Sequence, residues 1–201
     1  PAFTPDGTRI LWSSTRSGNL EIWIANADGS GARQVSRDGV DAENPTMTAD
    51  GDWIVYSSNN DAKRGIWKIR PDGTEATRLV NAPSLLPEVS PDGTVALYVV
   101  FRDLNFQIRV VDIASGEVLP FEISIDTVTR NQSVTFGRAR WRPDGGAIVF
   151  IPLFICYVVV AIHVYDIIRY SLNIWVFLLN CSCDLHIVST RIHRRDRKSV
   201  V

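Results

Sequence analysis

The side chains best suited to metal binding stand close together near one end of the sequence. They are Cys181, Cys183, His186 and His193. Structural zinc sites usually separate paired cysteines by about two to four residues, so Cys-x-Cys with scattered histidines is a poor match. We therefore predict no metal site and no bound cofactor.

Residues 1–150 lack the side chains that most enzymes use for acid–base and nucleophilic catalysis. They contain no histidine and no cysteine, which removes the commonest general base and a strong nucleophile. The sequence also has no Gly-x-Ser-x-Gly elbow, Walker loop or Rossmann glycine pattern. We expect no catalytic residues. The net charge of −1 over 201 residues excludes a strongly basic nucleic-acid binder, so no nucleic-acid partner is expected.

Asp-Gly pairs recur along the same 150 residues, and their carboxylates are candidate calcium ligands. Four of the pairs, at Asp6, Asp28, Asp50 and Asp72, are spaced by 22 residues, which gives a repeating unit of 44 residues. In a Pro-Asp-Gly turn, proline presets φ, aspartate caps the turn and glycine adopts the left-handed conformation. This turn role accounts for the aspartates without a calcium ion. The pairs that mark the repeat begin at Asp6, Asp28, Asp50, Asp72, Asp92 and Asp144.

Aromatic residues recur in step with these turns. Six positions after the first aspartate of each unit stands Trp12, Tyr56, Tyr98 or Phe150. Each unit is predicted to form four short strands, and four antiparallel strands in such a unit are typical of one β-propeller blade. The second strands are predicted at Thr8–Ser14, Trp53–Ser58, Val95–Val100 and Ala147–Ile151, the third at Leu20–Ala25, Gly65–Arg70 and Gln107–Asp112, and the fourth at Ala32–Ser36, Thr77–Val80 and Val118–Phe121.

These motifs resemble the WD40-like repeat of the TolB β-propeller. The resemblance rests on Phe3–Ser14, followed by Glu21-Ile22-Trp23 and Ala27-Asp28-Gly29, and it covers residues 1–150. The third unit departs from the pattern, because Ala114-Ser115-Gly116 stands where Asp-Gly is expected. A closed propeller has about four to eight blades. We therefore expect an all-β fold, an incomplete propeller of about three and a half four-stranded blades, in a fragment that begins on a first strand without a signal peptide.

The resemblance implies a protein-binding or scaffolding module with a protein or peptide partner, in the bacterial periplasm or otherwise exported. An alternative is the propeller domain of a multidomain enzyme or sensor, as in prolyl-oligopeptidase-like hydrolases and some bacterial serine/threonine kinases. Partners commonly bind the loops on one face of a propeller, although solvated loop charges are the simpler interpretation. The candidate loop residues are Arg16, Asn59, Asn60, Lys63, Arg64 and Arg102.

The tryptophans of the repeat have two interpretations, a binding surface or the packing layer between blades. Their repeat positions favour packing, in which case replacing Trp23 or Trp67 by alanine is expected to destabilise the protein by about 3–5 kcal/mol. The set comprises Trp12, Trp23, Trp53, Trp67 and Trp141.

Residues 151–201 form an anomalous apolar tail. They hold all three cysteines and all three histidines but none of the 13 glycines. The uncharged run from Pro152 ends after about a dozen residues at His163, short of the ~18 that a membrane-spanning helix needs. The basic stretch at 191–198 is interpreted as a solvated terminus. Membrane association is expected only if the tail is genuine.

The end of the tail offers a further interpretation of its origin. The final six residues, 196–201, can be encoded by GATCGGAAGAGCGTCGTG, which matches a common sequencing adapter. Together with the change in composition, this match indicates a frameshifted or sequencing-derived segment.

Overall fold

The computed structural model describes residues 1–102, 105–126, 135–136, 138–150, 152–153 and 160–163. All regular structure within these ranges is β-strand, in agreement with the predicted all-β class. The strands are β1 (Ala2–Phe3), β2 (Arg9–Ser14), β3 (Glu21–Asn26), β4 (Arg33–Gln34), β5 (Ala42–Met47), β6 (Ile54–Ser58), β7 (Gly65–Ile69), β8 (Thr77–Val80), β9 (Leu85–Val89), β10 (Val95–Arg102), β11 (Asn105–Asp112), β12 (Val118–Asp126), β13 (Thr135–Phe136), β14 (Arg140–Trp141), β15 (Ala147–Phe150), β16 (Pro152–Leu153) and β17 (Val160–His163).

The strands form consecutive antiparallel sheets in chain order, as the repeat predicts. Blade 1 is β1–β4, blade 2 is β5–β8 and blade 3 is β9–β12, each a four-stranded sheet with sequential neighbours paired. A three-stranded sheet of order β14-β15-β17 follows, with a separate pairing of β13 and β16. The predicted incomplete propeller of three blades and part of a fourth is therefore confirmed.

The first strands of blades 2 and 3 contain an irregularity that the repeat pattern did not predict. β5 begins at Ala42, and its pairing with β6 shifts register between Glu43 and Thr46. Asn44 has φ of 56° there, and Leu86 has φ of 54° at the matching place in blade 3. Both precede a proline, which lacks the N–H needed to continue the ladder, so a bulge forms at this point.

The Asp-Gly turns adopt the predicted geometry. In the first, the Gly7 N–H donates to the Thr4 carbonyl over 2.8 Å, and Gly7 has φ of 69°, a left-handed conformation that favours glycine. Asp6 accepts hydrogen bonds from the Thr8 N–H and hydroxyl. In the divergent third unit, Asp112 accepts from Ser115 instead, and Gly116 closes a longer turn onto the Asp112 carbonyl over 2.9 Å.

The core lies between the blades, because alternate side chains of each strand point to opposite neighbours. In β10, Tyr98 packs towards blade 2 whereas Leu97 packs towards the fourth sheet. The clusters between blades contain Leu11, Ile22, Ile24, Ile54 and Tyr56 (blades 1 and 2), Val55, Ile66, Val80, Ala96 and Tyr98 (blades 2 and 3), and Leu97, Ile108, Val110, Ala139 and Ile148 (blade 3 and the fourth sheet).

The recurring aromatics follow this alternation, with one difference from the expectation. Tyr56 and Tyr98 are buried between blades, at 4% and 1% exposure. Trp12 and its cross-strand partner Trp23 lie on the face of blade 1 turned away from blade 2 and are half-buried. The Arg16 guanidinium lies 5.5 and 4.9 Å from their ring centroids. Trp53, Trp67 and Trp141 are also half-buried, so the tryptophans border the core rather than fill it.

Part of the tail pairs with the edge of the fourth sheet. β17 is antiparallel to β15, with Phe150 opposite Val160 and Ala147 opposite His163. An unpaired strand edge readily recruits a β-branched segment in this way. Within the described ranges no helix is long and apolar enough to cross a membrane. Residues 164–201, with the cysteines and the basic stretch considered above, lie outside the described residues, and the frameshifted origin of 151–201 stays a prediction.

The turn carboxylates predict acid sensitivity that can be measured residue by residue. Hydrogen bonds from the Thr4 and Thr8 side chains and the Thr8 N–H lower the pKa of Asp6 to about 2, against an ordinary value of about 3.9. A pKa lower in the folded than in the unfolded state stabilises the fold above the unfolded value, and this contribution is lost as pH falls from about 4 to about 2. We expect an NMR titration midpoint near 2 for the Asp6 carboxyl, raised by Thr8→Ala and unchanged by Thr15→Ala.

The two central tryptophans are expected to differ in their contribution to stability. Trp67 packs against the cluster between blades 1 and 2, and its Nε1–H donates to the Lys63 carbonyl over 2.7 Å. Trp23 carries a buried Nε1 without a hydrogen-bond partner. Trp67→Ala is therefore expected to cost about 3–5 kcal/mol and Trp23→Ala about 1–2 kcal/mol, compared by denaturant titration. Equal losses would contradict this assignment.

Candidate interaction face

Three loops on one edge of blades 1 and 2 are joined by backbone hydrogen bonds. Ala42 N–H donates to the Leu20 carbonyl over 2.8 Å, and Asn59 N–H donates to the Asp41 carbonyl over 3.0 Å. The loops are residues 15–20 between β2 and β3, 35–41 between β4 and β5, and 59–64 between β6 and β7. We call these residues the loop face. The Asp-Gly turns occupy the opposite edge, because successive connections of an antiparallel sheet alternate between its two edges.

Two buried carboxylates fix the 35–41 loop. Glu21 is 3% exposed and accepts hydrogen bonds from the Ser36 hydroxyl, the Asp38 N–H at 2.9 Å and the Gly39 N–H at 2.8 Å. Asp38 is 5% exposed and accepts from the Ser58 hydroxyl at 2.8 Å. Buried carboxylates are tolerated when hydrogen bonds replace the lost water. Hydrogen bonds from both blade 1 and blade 2 therefore fix the conformation of the 35–41 loop.

Three of the predicted loop residues support this same loop from the side. Asn59 Nδ2 donates to the Asp41 carboxylate over 3.0 Å, and Asn60 Nδ2 donates to the Asp38 carbonyl over 2.9 Å. Lys63 Nζ donates to the Asp38 carbonyl over 3.1 Å. Their polar groups are engaged within the fold, so they position the loop face.

The predicted arginines have different environments. Arg64 pairs with the exposed Asp61 over 2.6 Å, with half of the Arg64 side chain accessible. Arg16 is exposed and covers the rings of Trp12 and Trp23. The side chain of Arg102 lies outside the described residues. The structure thus brings Asn59, Asn60, Lys63 and Arg64 into one loop beside the 35–41 loop.

Four residues that form or support the loop face escaped the sequence reasoning. They are Glu21, Arg37, Asp38 and Val40. One signal was present, since Asp38-Gly39 is an Asp-Gly pair that falls out of step with the 22-residue spacing. Gly39 has φ of 86°, so this pair also makes a sharp turn, on the opposite edge from the repeated ones.

The loop face combines buried acidic groups beneath it with exposed arginines, of which Arg64 pairs with the exposed Asp61. Burial, and then the charge of neighbouring Asp41, raise the pKa of Glu43. Burial, with further contributions from Asp38 and Glu21, raises the pKa of the Tyr56 hydroxyl. Arg16, Arg37 and Arg64 are exposed. In the part of the chain that is described, no group of His, Cys, Asp and Glu is arranged to hold a metal ion.

Comparison with protein families identifies the repeat. The model of the TolB beta propeller domain matches residues 1–121, more than half of the chain. The chain belongs to the TolB β-propeller family. Comparison with curated proteins gave no match.

The solved structures similar to this TolB-family chain include two proteins named TolB and one named as an enzyme. TolB from Acinetobacter baumannii has a TM-score of 0.63 at 21% identity, covering 88% of this chain and 43% of its own. A putative TolB from Agrobacterium tumefaciens has a TM-score of 0.52 at 24% identity, covering 58% and 46%. An oligogalacturonate lyase from Vibrio parahaemolyticus has a TM-score of 0.54 at 14% identity, covering 81% and 61%. The chain therefore spans about half the length of these proteins, and the likeness shows the fold.

The role of Glu21 in fixing the loop can be tested by an almost isosteric change. Glu21→Gln replaces one accepting oxygen by an NH2 group that faces other donors, so about 1–3 kcal/mol of stability should be lost. The amide hydrogens of Asp38 and Gly39 should exchange faster in the variant. Glu75→Gln, at a 62% exposed side chain, is the matched control and should change neither property. Unchanged protection at Asp38 and Gly39 in Glu21→Gln would contradict the role.

Proposed function

We propose that this chain is a protein-binding module of the TolB propeller type, and that its partner contacts the loop face. The observation that carries the proposal is the fixed 35–41 loop. Val40 is 55% exposed at its tip although it is apolar, while Glu21 and Asp38 hold the surrounding backbone. A surface that is ordered before binding loses less conformational entropy on association.

The exposed arginines of the loop face favour a partner segment that carries carboxylates. Arg16, Arg37 and Arg64 are exposed on the loop face, and arginine is enriched at protein interfaces. The exposed Arg64–Asp61 ion pair contributes little to stability, so a partner carboxylate can replace Asp61 at small cost. We infer an acidic protein segment with an apolar residue that contacts Val40.

The family also supports an exported location. The TolB resemblance implies the bacterial periplasm, and the protein partner proposed above would be met there. Fractionation of the source cells, followed with an antibody against blades 1–3, tests this location. Recovery with the periplasmic contents is expected, and recovery with the cytosol would contradict it.

A second candidate is the propeller domain of an enzyme or sensor with further domains. The similarity in fold to an oligogalacturonate lyase favours it, because the same architecture occurs in a protein named as an enzyme. Residues 1–150 contribute no histidine or cysteine to such a reaction. The complete reading frame discriminates the two, since a hydrolase elbow after the blades or kinase motifs before them would favour the second candidate.

Site-specific photo-crosslinking tests the loop face in cells. A benzoylphenylalanine at position 40 should yield an adduct of defined mass. The same group at position 3 is the matched control, because Phe3 is 66% exposed and lies beside the Asp6-Gly7 turn on the opposite edge. Adding Arg37→Glu to the position-40 probe should lower the adduct yield by about tenfold. Equal adducts from positions 3 and 40 would refute the loop face as the contact surface.

A further inference from the structure

One position in the third strand of each blade is a tryptophan in blades 1 and 2 but not in blade 3. Trp23 in β3 and Trp67 in β7 are 44 residues apart, and the matching residue of β11 is Arg109. Each stands directly across from the recurring aromatic of the second strand, since Trp12 pairs with Trp23, Tyr56 with Trp67 and Tyr98 with Arg109. In blade 3 an arginine thus replaces an indole.

In blade 2 the indole fills part of the space between blades 1 and 2. Trp67 packs beside Tyr56 and against the cluster shared with blade 1. The guanidinium of Arg78 lies 5.5 Å from its ring centroid. The cleft that remains there, lined by Val35, Tyr56 and Trp67, has a volume of about 180 Å³.

In blade 3 the corresponding space is left open. The cleft between blades 2 and 3, lined by Val80, Tyr98 and Arg109, has a volume of about 450 Å³. Clefts that bind ligands have volumes of roughly 300–1,000 Å³, so this one is large enough and the first is not. Two apolar side chains at its rim are exposed, Phe101 at 57% and Val118 at 41%.

Arg109 is held at this cleft and keeps unused hydrogen-bonding capacity. Its guanidinium pairs with Glu122 over 3.2 Å, and both side chains are about one-third exposed. Its Nε is buried without a hydrogen-bond partner. Because Glu122 already balances the charge, the cleft is not a site for a free anion. A neutral, polarisable group over the guanidinium plane would suit it better.

We propose that the cleft between blades 2 and 3 binds an aromatic side chain, preferably an indole, carried by a segment of a partner protein. Tyr98 lines this cleft beside Arg109, as Tyr56 lies beside the indole of Trp67 in blade 2. Trp12, Trp23, Trp53 and Trp67 each have a guanidinium or ammonium group between 4.1 and 5.5 Å from a ring centroid. Arg109 supplies the same cation–π contact to a ring that comes from outside.

This inference rests on the proposed protein-binding function and names the chemistry of one bound segment. It concerns the cleft between blades 2 and 3, whereas the crosslinking experiment above probes position 40. If crosslinking at position 40 fails, peptide binding to the cleft can still be measured, and the reverse also holds.

The test uses the full chain and a short probe, acetyl-Gly-(5-fluoro-Trp)-Gly-amide, followed by fluorine NMR. Saturable binding is expected with a Kd of about 1 mM, because a single side chain makes the contact. Acetyl-Gly-Leu-Gly-amide should compete at least about tenfold more weakly, since it lacks the ring that contacts Arg109.

Arg109→Trp is the decisive variant, because it places the indole of the other units in the cleft. It should weaken probe binding by at least about tenfold while the thermal midpoint stays equal or rises, since the ring fills the cleft. Phe101→Ser at the rim should weaken binding severalfold. Phe3→Ser, at an equally exposed phenylalanine outside the cleft, should leave it unchanged.

Three outcomes of the binding measurements overturn the proposal. They are no saturable binding to the wild-type chain, undiminished binding to folded Arg109→Trp, and equal affinity for the leucine peptide. A concentration-dependent dimer that Arg109→Trp abolishes, without peptide binding, would assign the cleft to a second copy and also overturn it.

Discussion

The alternation of side chains between the two faces of a strand is the constraint on which the rest of this structure depends. A blade has two apolar faces, and a single sheet cannot cover both. In β10 the buried Leu97 and Tyr98 point to different neighbours, so one strand contributes to two cores. Each blade is therefore stable only between others, as in other repeat architectures. The residues that remain available for binding lie at the two edges of the blades, or at positions where a unit departs from the repeated packing between blades.

The two edges of the blades are built by different chemistry. At the turn edge, short local hydrogen bonds such as those between Asp6 and Thr8 close the turns, and Lys68 of blade 2 adds a hydrogen bond to the Ile113 carbonyl in a turn of blade 3. At the loop face, Ser58 of blade 2 donates to Asp38, which follows blade 1, and Glu21 reaches the same loop from β3. A loop held by two blades is as rigid as the interface between them. At the loop face these links between blades involve the side chains of both Glu21 and Asp38.

Sequence reasoning recovered what repeats along the chain and missed what depends on one contact in space. The spacing of Asp-Gly pairs and aromatics was sufficient for the strands, the turns and the buried Tyr56 and Tyr98, because these features follow from local propensity and period. It was insufficient for Glu21, since an isolated glutamate ahead of Ile22 gives no sign that three donors converge on it. It also did not show that Asn59 and Lys63, two of the candidate binding residues, make long-range hydrogen bonds to the 35–41 loop; their role in binding stays a prediction.

Departures from the repeat carry more information about specific function than the repeat itself. A residue type that recurs in every unit is explained by what every unit needs, which is packing between blades or turn geometry. Arg138 stands where the earlier units have Asn44 and Leu86, and it donates to the Asn44 carbonyl over 2.6 Å and pairs with Glu88 at 3.5 Å. That departure joins β5 and β9 to the residues just before β14. Arg109 departs from tryptophan in the same way, but its change opens space instead of making a link. The four-stranded fold of a blade requires neither Arg138 nor Arg109. Each arginine must therefore be explained by the groups that it contacts.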